Sequence, residues 1–370
     1  MADVKEALEL CSECGACLDV CPTYGPDQVM NLSPLGRLRA ARQIFQGEEI
    51  TPEIKESIYS CLECRLCTGS CPFEIDIPEI VYASRVELAA TGRGPLEPHI
   101  HIMEGIHKLG NSAGGAPEKR LDWLPEAYSP HESSTLFFAG CIASYLAQDA
   151  AASSYLLLKK LGVDFMVLPD EGCCGLYYMW AGMPDVAKAH FEQMASGFKQ
   201  QGITRLILDC AGCYECFSRQ YPAVMGSIDF EVVHIAQLLP ALLKDRGIEV
   251  APGGTEVTYV DPCGLGRLGG GIYDEPREAL QICGVQVSET RGNRENGPCC
   301  GGGGAVRAAY RDLYLKVAGS VLRDAPSHKL VTPCSFCQFN YSYAARKTGG
   351  DKEIIYLART ILDALNGSSG

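Results

Sequence analysis

The sequence has no apolar run approaching the length of a membrane-spanning helix, and no apolar segment follows the polar, charged stretch from Met1 to Glu6. These absences argue against a helical anchor and a secretory leader, so the chain is expected in the cytoplasm, reaching the inner face of a membrane only through a partner. Basic residues are in the minority. Lys and Arg number 32 against 45 Asp and Glu, a formal net charge of -13. That balance argues against nucleic acid as a partner and against strong unaided binding to an anionic membrane. No dinucleotide-binding unit, with a glycine fingerprint opening a helix after a strand, is read in the chain. Neither a flavin nor a nicotinamide site is therefore expected, and any redox work needs a separate protein partner.

What the chain does have is cysteine, 20 in 370 residues. In an intracellular setting, dense patterned cysteines are metal ligands before they are disulfides. Cys11, Cys14, Cys17 and Cys21-Pro22 recur fifty residues later as Cys61, Cys64, Cys67 and Cys71-Pro72. Both are the C-x2-C-x2-C-x3-C-P run of two-cluster ferredoxins, in which three close thiolates grip one [4Fe-4S] cube and the fourth ligates the other. The ligand sets are then Cys11, Cys14, Cys17 and Cys71 for one cube, and Cys61, Cys64, Cys67 and Cys21 for the other. Zinc knuckles are the alternative, disfavoured by the duplicated spacing and both prolines.

Between and after these runs the signals are helical. Ser33 and Pro34 start a helix that carries Leu38, Ala41, Ile44 and Phe45 to Gly47, a second starts at Pro52, and Pro78 opens a third that ends at Gly92. Residues 1–92 therefore read as an α-helical ferredoxin domain. Residues 93–134, rich in Pro, Gly, Ser and His, read as a linker with one helix from Pro98 to Leu109. Its His99, His101 and His107 are assigned packing or solvated roles rather than metal binding.

Two further groups each contain a single Cys, an adjacent Cys-Cys-Gly and a C-x2-C pair. They are Cys141, Cys173, Cys174, Cys210 and Cys213, then Cys263, Cys299, Cys300, Cys334 and Cys337. Five thiolates exceed what a tetrahedral zinc or cubane site uses, which points to a cluster of unusual shape and to redox work. The surrounding sequence repeats at an offset of 122 residues, Thr135 to Cys141 with Val257 to Cys263 and Glu231-Val-Val-His with Glu353-Ile-Ile-Tyr, indicating an internal duplication over 135–250 and 251–366. Strand-like runs at 135–139, 163–168 and 205–209, and at 257–261, 285–288 and 330–333, alternate with helical stretches near 147–161 and 185–200. The expected fold class is thus α+β multidomain, an α-helical ferredoxin domain followed by two duplicated Rossmann-like α/β modules. Each cysteine group follows strand carboxyl ends, where open α/β sheets bind ligands. Cys216 and Cys283 read as buried bystanders, and Gly301 to Gly304 as a run that lets backbone approach a cluster closely.

This combination resembles the D-type subunit of heterodisulfide reductase and the iron-sulfur subunits of glycolate oxidase and anaerobic glycerol-3-phosphate dehydrogenase. The resemblance spans about Leu8 to Leu365, and it rests on Leu330-Val-Thr-Pro-Cys-Ser-Phe-Cys337 and Cys299-Cys-Gly-Gly-Gly-Gly304 as well as on the cysteine groups. It implies non-cubane [4Fe-4S] clusters held by all five cysteines of each group. It further implies either of two roles: reduction of a small disulfide, such as the coenzyme M-coenzyme B heterodisulfide, or relay of electrons from a flavin dehydrogenase to a quinone or cytochrome. Expected partners are a flavoprotein, a hydrogenase or a b-type cytochrome. Where many members of the family read Asp-Pro-Cys-His, this chain has Asp261-Pro-Cys-Gly264, removing an expected proton donor. An anionic disulfide would call for cations near the cysteines, and Arg267, Arg307 and Arg311 are the candidates.

Overall fold

The computed structural model describes residues 4–248, 250 and 255–367. Its N-terminal part is helical. Ser33 caps the helix Pro34–Gln46 by accepting from the Gly36 amide, and Gly47 closes it in the left-handed conformation. Helices Pro52–Tyr59 and Ile77–Ala90 follow, capped by Thr51 and Asp76. Leu38, Ala41, Ile44, Ile58, Val81 and Leu88 make the core between them.

Two parallel sheets form the remainder. The first has the order β1 (Thr135–Phe138), β2 (Arg205–Leu208), β3 (Glu231–His234). The second contains β4 (Glu256–Tyr259), β5 (Gln286–Glu289), β6 (Lys329–Thr332) and β7 (Glu353–Tyr356), in the order β5-β4-β6-β7. The run expected as a strand at 163–168 is reduced to one bridge, Met166 to Leu136. Gly162 and Pro169 bracket this edge segment, leaving little backbone able to extend the pairing. With Met166 in the place of β5, the two sheets share one order, so the duplication is visible in topology. The fourth strand of each copy, Glu231–His234 and Glu353–Tyr356, is marked in the sequence only by its repetition.

Strands β1, β2 and β6 bury apolar residues on both faces, as parallel strands covered by helices do. Leu136, Phe138, Leu206, Leu208 and Leu330 belong to one hydrophobic layer, while Phe137, Ile207, Val257, Tyr259 and Val331 belong to another. Each layer therefore runs through both copies. The last helix of the first copy, Ile235–Asp245, packs on Asp274–Ile282 of the second, and the last helix of the second, Leu357–Gly367, packs on Gln148–Lys160 of the first. This reciprocal exchange turns the two strand-end faces towards each other: the Ser335 amide and the Tyr356 hydroxyl both donate to the Asp209 carbonyl, at 3.2 and 2.8 Å.

The segment 93–134 is more than a tether. Its helix Glu97–Leu109 buries His99 and Ile106, Trp123 joins the core, and buried Arg120 pairs with Glu171. Glu171 in turn accepts from the Ala139 and Gly140 amides, holding the turn that leads into Cys141.

Candidate metal centres

Cys11, Cys14, Cys17 and Cys71 line one small cavity, and Cys21, Cys61, Cys64 and Cys67 line another. In both loops the backbone turns left-handed at equivalent positions, Glu13 with Gly15 and Glu63 with Arg65, so the chain wraps around each gap. The thiols surround gaps instead of closing on a point, and among the described residues no His, Cys, Asp or Glu trio is spaced for a single metal ion. Cys14 is exposed, whereas Cys21, Cys61, Cys64 and Cys67 are buried.

Burial penalises thiolates, and this second centre is supplied with buried cations to offset that cost. The Arg37 guanidinium lies 3.6 Å from Cys21 Sγ, fixed by Thr23 and by the Ser57 and Ser60 carbonyls. Arg85, wholly buried, donates to the Ile58, Cys61, Trp180 and Gly304 carbonyls and pairs with Glu63. Burial pushes the Cys61 thiol up, against Arg37 and Arg85. Cys64 is instead pulled down to about 6, first by its hydrogen bond with Cys299 and also by Arg267. Sequence reasoning missed Arg37 and Arg85, because a charged residue on an amphipathic helix looks solvated until tertiary packing covers it.

The first five-cysteine group converges. Cys141 and Cys173 have sulfurs 3.8 Å apart, Cys174 reaches Cys173 and Cys213, and Cys213 reaches Cys210. In the second group Cys299 reaches Cys263 and Cys300, and Cys337 reaches Cys300 and Cys334. The groups also lie beside their neighbours: Cys299 interacts with Cys64 of the ferredoxin loop, and Cys334 with Cys210 of the other copy. Cysteine sulfur thus forms a file from the second ferredoxin loop through the second copy to the first.

The file ends in a cavity of about 170 Å³ lined by all five cysteines of the first group and, from the second copy, by Gly302, Ala305, Arg307, Ala308 and Phe336. Most of the remaining lining is apolar or aromatic, including Leu176, Tyr177 and Trp180. The three candidate arginines separate. Arg307 lines the cavity, stacked 4.4 Å over the Phe339 ring. Arg267 is turned away, donating to the Cys64, Glu295 and Gly297 carbonyls between the ferredoxin loop and the second copy. Arg311 is hydrogen-bonded to the Tyr343 hydroxyl and does not reach the cavity lining.

Cys216 lies beside the first group with its sulfur 3.4 Å from the Cys174 carbonyl, while Cys283 sits in the core at the end of helix Asp274–Ile282 with burial alone raising its thiol, to about 11. In the glycine run 301–304, Gly303 and Gly304 make the close approach to the ferredoxin loop. A Cβ at Gly304 would fall 2.1 Å from the Cys61 carbonyl oxygen. Gly264, Gly266 and Gly269 after β4 have fingerprint spacing. There the chain forms turns with no helix at its start, and the glycines pack against Ala211, Tyr273 and Leu265, so they form no dinucleotide cradle.

The donor set, thiols in two ferredoxin loops and two paired-cysteine groups, defines an iron-sulfur protein of the oxidoreductase type. Residues 7–75 match the 4Fe-4S dicluster domain family, and residues 135–218 and 257–341 each match the cysteine-rich domain family. The chain is 32% identical over 360 residues to the D-type subunit of dihydromethanophenazine:CoB-CoM heterodisulfide reductase from Methanosarcina acetivorans, covering 90% of this chain and 88% of that one. It is 26% identical over 364 residues to the B-type subunit of fumarate reductase (CoM/CoB) from Methanothermobacter marburgensis, covering 95% and 71%. It is also 29% identical over 292 residues to EtfAB:quinone oxidoreductase from Syntrophomonas wolfei, covering 72% and 40%. The chain belongs to the family of cysteine-rich iron-sulfur proteins typified by the D-type subunit of heterodisulfide reductase, and its cofactors are multiple [4Fe-4S] clusters.

Proposed function

We propose that the chain is the disulfide-reducing component of a multi-subunit redox complex, with the disulfide held in the cavity against Cys141, Cys173, Cys174, Cys210 and Cys213. The observation that carries this reading is the file of neighbouring cysteines that ends in a largely apolar, substrate-sized cavity. The two ferredoxin loops would hold one cubane cluster each and the two five-cysteine groups one non-cubane cluster each, supplying one-electron transfer in the order of the file. The chain's own residues set the conditions. Arg37, Arg85 and Arg267 offset buried thiolate charge, Leu176, Trp180 and Phe336 exclude water, and Arg307 pairs with an anionic group on one arm of the disulfide. A redox protein would dock where Cys14 is exposed, beside Leu10 and Phe73, which are 53% and 46% exposed. Residues 1–92, 93–134, 135–250 and 251–366 serve as the working division into domains.

The likeness to a quinone oxidoreductase favours a second reading, in which the chain only relays electrons from a flavoprotein to a quinone or cytochrome. Anaerobically purified protein with reduced methyl viologen separates the two. Disulfide-dependent viologen oxidation with release of two thiols per disulfide is expected, and electron transfer to a quinone with no thiol release would establish the relay.

A further inference from the structure

Disulfide cleavage consumes protons as well as electrons: R-S-S-R′ + 2 e⁻ + 2 H⁺ gives R-SH and R′-SH. The electrons come from a reduced one-electron donor, and the two protons come in the end from water. Besides ligand thiols, the polar side chains lining the cavity are those of Ser112, Tyr177, Trp180 and Arg307. Ser112 Oγ lies 3.1 Å from Cys141 Sγ and is committed to a ligand. A guanidinium and an indole N–H are not proton-donating acids. Position 264, beside Cys263, offers nothing, because even a Cβ there would fall 2.5 Å from the Ala211 carbonyl oxygen. Tyr177 remains, and its hydroxyl is buried with no hydrogen-bond partner.

Behind Tyr177 stands His99, wholly buried, its ring edge-on at 6.1 Å between centroids; on its other side the Tyr59 ring lies at 5.2 Å. The Ala305 carbonyl is near, yet neither ring nitrogen makes a hydrogen bond of normal geometry, and the Tyr59 hydroxyl is also unpartnered. Buried polar groups are nearly always paired, and here three unpaired ones, from three different helices, lie in a single file.

We propose that Tyr177 donates the proton taken up by the leaving sulfur, and that His99 is the positioning residue that replenishes it. This rests on the disulfide reading above. As the S–S bond breaks, the departing thiolate takes the Tyr177 hydroxyl proton. The phenolate takes the N–H proton of His99 as the other ring nitrogen accepts the Tyr59 hydroxyl proton in the same step, and water then reprotonates Tyr59 and protonates the second thiolate. The electrostatics agree. Burial, and then the Arg85 charge, hold His99 down to about 4, so at neutral pH it has one donor and one acceptor nitrogen. Burial holds the Tyr177 phenol protonated, and it makes a thiolate released in the same apolar cavity a stronger base than in water. Arg307 and Arg85 are the cations facing the phenol.

The test uses the full cluster-loaded chain with reduced methyl viologen and 2-hydroxyethyl disulfide, in H2O and D2O, alongside calorimetric binding of 2-mercaptoethanol. Tyr177→Phe should lower kcat about 100-fold with iron content unchanged, and weaken thiol binding about tenfold, the scale of one lost hydrogen bond. His99→Gln should lower kcat about tenfold and change the solvent isotope effect, while His101→Asn, on the exposed side of the same helix, should change neither. A merely structural Tyr177 predicts the reverse, since losing an unpartnered buried hydroxyl should leave activity intact and folding unharmed. Wild-type-like kcat and isotope effect in Tyr177→Phe would overturn the donor role and leave disulfide reduction standing. Wild-type protein that neither cleaves the disulfide nor binds the thiol would overturn the disulfide reading, and the donor role with it.

Discussion

At the scale of single residues, the distinction that matters is between thiols that face other thiols and thiols that face hydrocarbon. Cys174 and Cys283 are both buried, yet Cys174 has thiol neighbours and Cys283 has a core. Cys174→Ser should remove the cluster of the first group, read as about 4 iron atoms lost per chain and disappearance of its paramagnetic signal. Cys283→Ser should leave iron content unchanged. The arginines divide in the same way. Arg307→Ala should raise KM for an anionic disulfide about tenfold, the effect of one lost charge-assisted contact, with potentials unmoved. Arg267→Ala should leave KM alone and lower the potential of the adjoining centres. A unit charge about 7 Å away at an effective dielectric near 20 is worth ~2 kcal/mol, on the order of 100 mV for one electron. Redox titration followed by spectroscopy checks that contrast.

Elements meet here through backbone as much as through side chains. Gly303 and Gly304 sit on the ferredoxin loop at Leu62 and Cys61, at distances that leave no space for a side chain. Gly304→Ala would need the loop or the run to shift, a strain of roughly 1–3 kcal/mol. It should slow electron passage from the ferredoxin part to the second copy, measured by stopped-flow reduction of the two spectral forms. Gly197, in the helix Pro184–Gln200, has nothing within 4 Å of its Cβ position. Gly197→Ala should therefore stabilise by roughly 0.5–1 kcal/mol, read from a denaturant midpoint, with redox behaviour unchanged. The pair distinguishes a glycine kept for close approach from one that is simply tolerated.

On the scale of the whole molecule, the order of the centres is a consequence of how the parts are assembled. One end is the exposed loop around Cys14, and the other is the cavity between the two copies. Four occupied sites require about 16 iron atoms per chain in protein prepared without oxygen. A charge placed on the exposed apolar pair, as in Phe73→Asp, should impair reduction by a protein donor while leaving reduction by methyl viologen unaffected, since a small donor needs no docking surface. Equal loss with both donors would mean that the electrons enter elsewhere. No helix among the described residues is long and apolar enough to cross a membrane.

Chemistry that depends on spacing along the chain was legible in the sequence. Three thiols within a seven-residue loop, a paired Cys-Cys-Gly and a C-x2-C pair must each face one site whatever the rest of the fold does, and the caps at Ser33, Thr51 and Asp76 are local for the same reason. The duplication was legible too, because both copies retain the strand and cysteine pattern. Contacts between segments far apart in the chain were decided only by tertiary structure. Cys64 meets Cys299, Cys210 meets Cys334, Arg85 reaches Gly304, and His99 moves from an apparent linker to a position behind Tyr177. Local sequence carries no record of those pairings, since they arise where two hydrophobic layers running through both copies force distant loops together. For the same reason Arg267 looked like a substrate cation from its distance to Cys263 in sequence, and in three dimensions points at the Cys64 backbone instead.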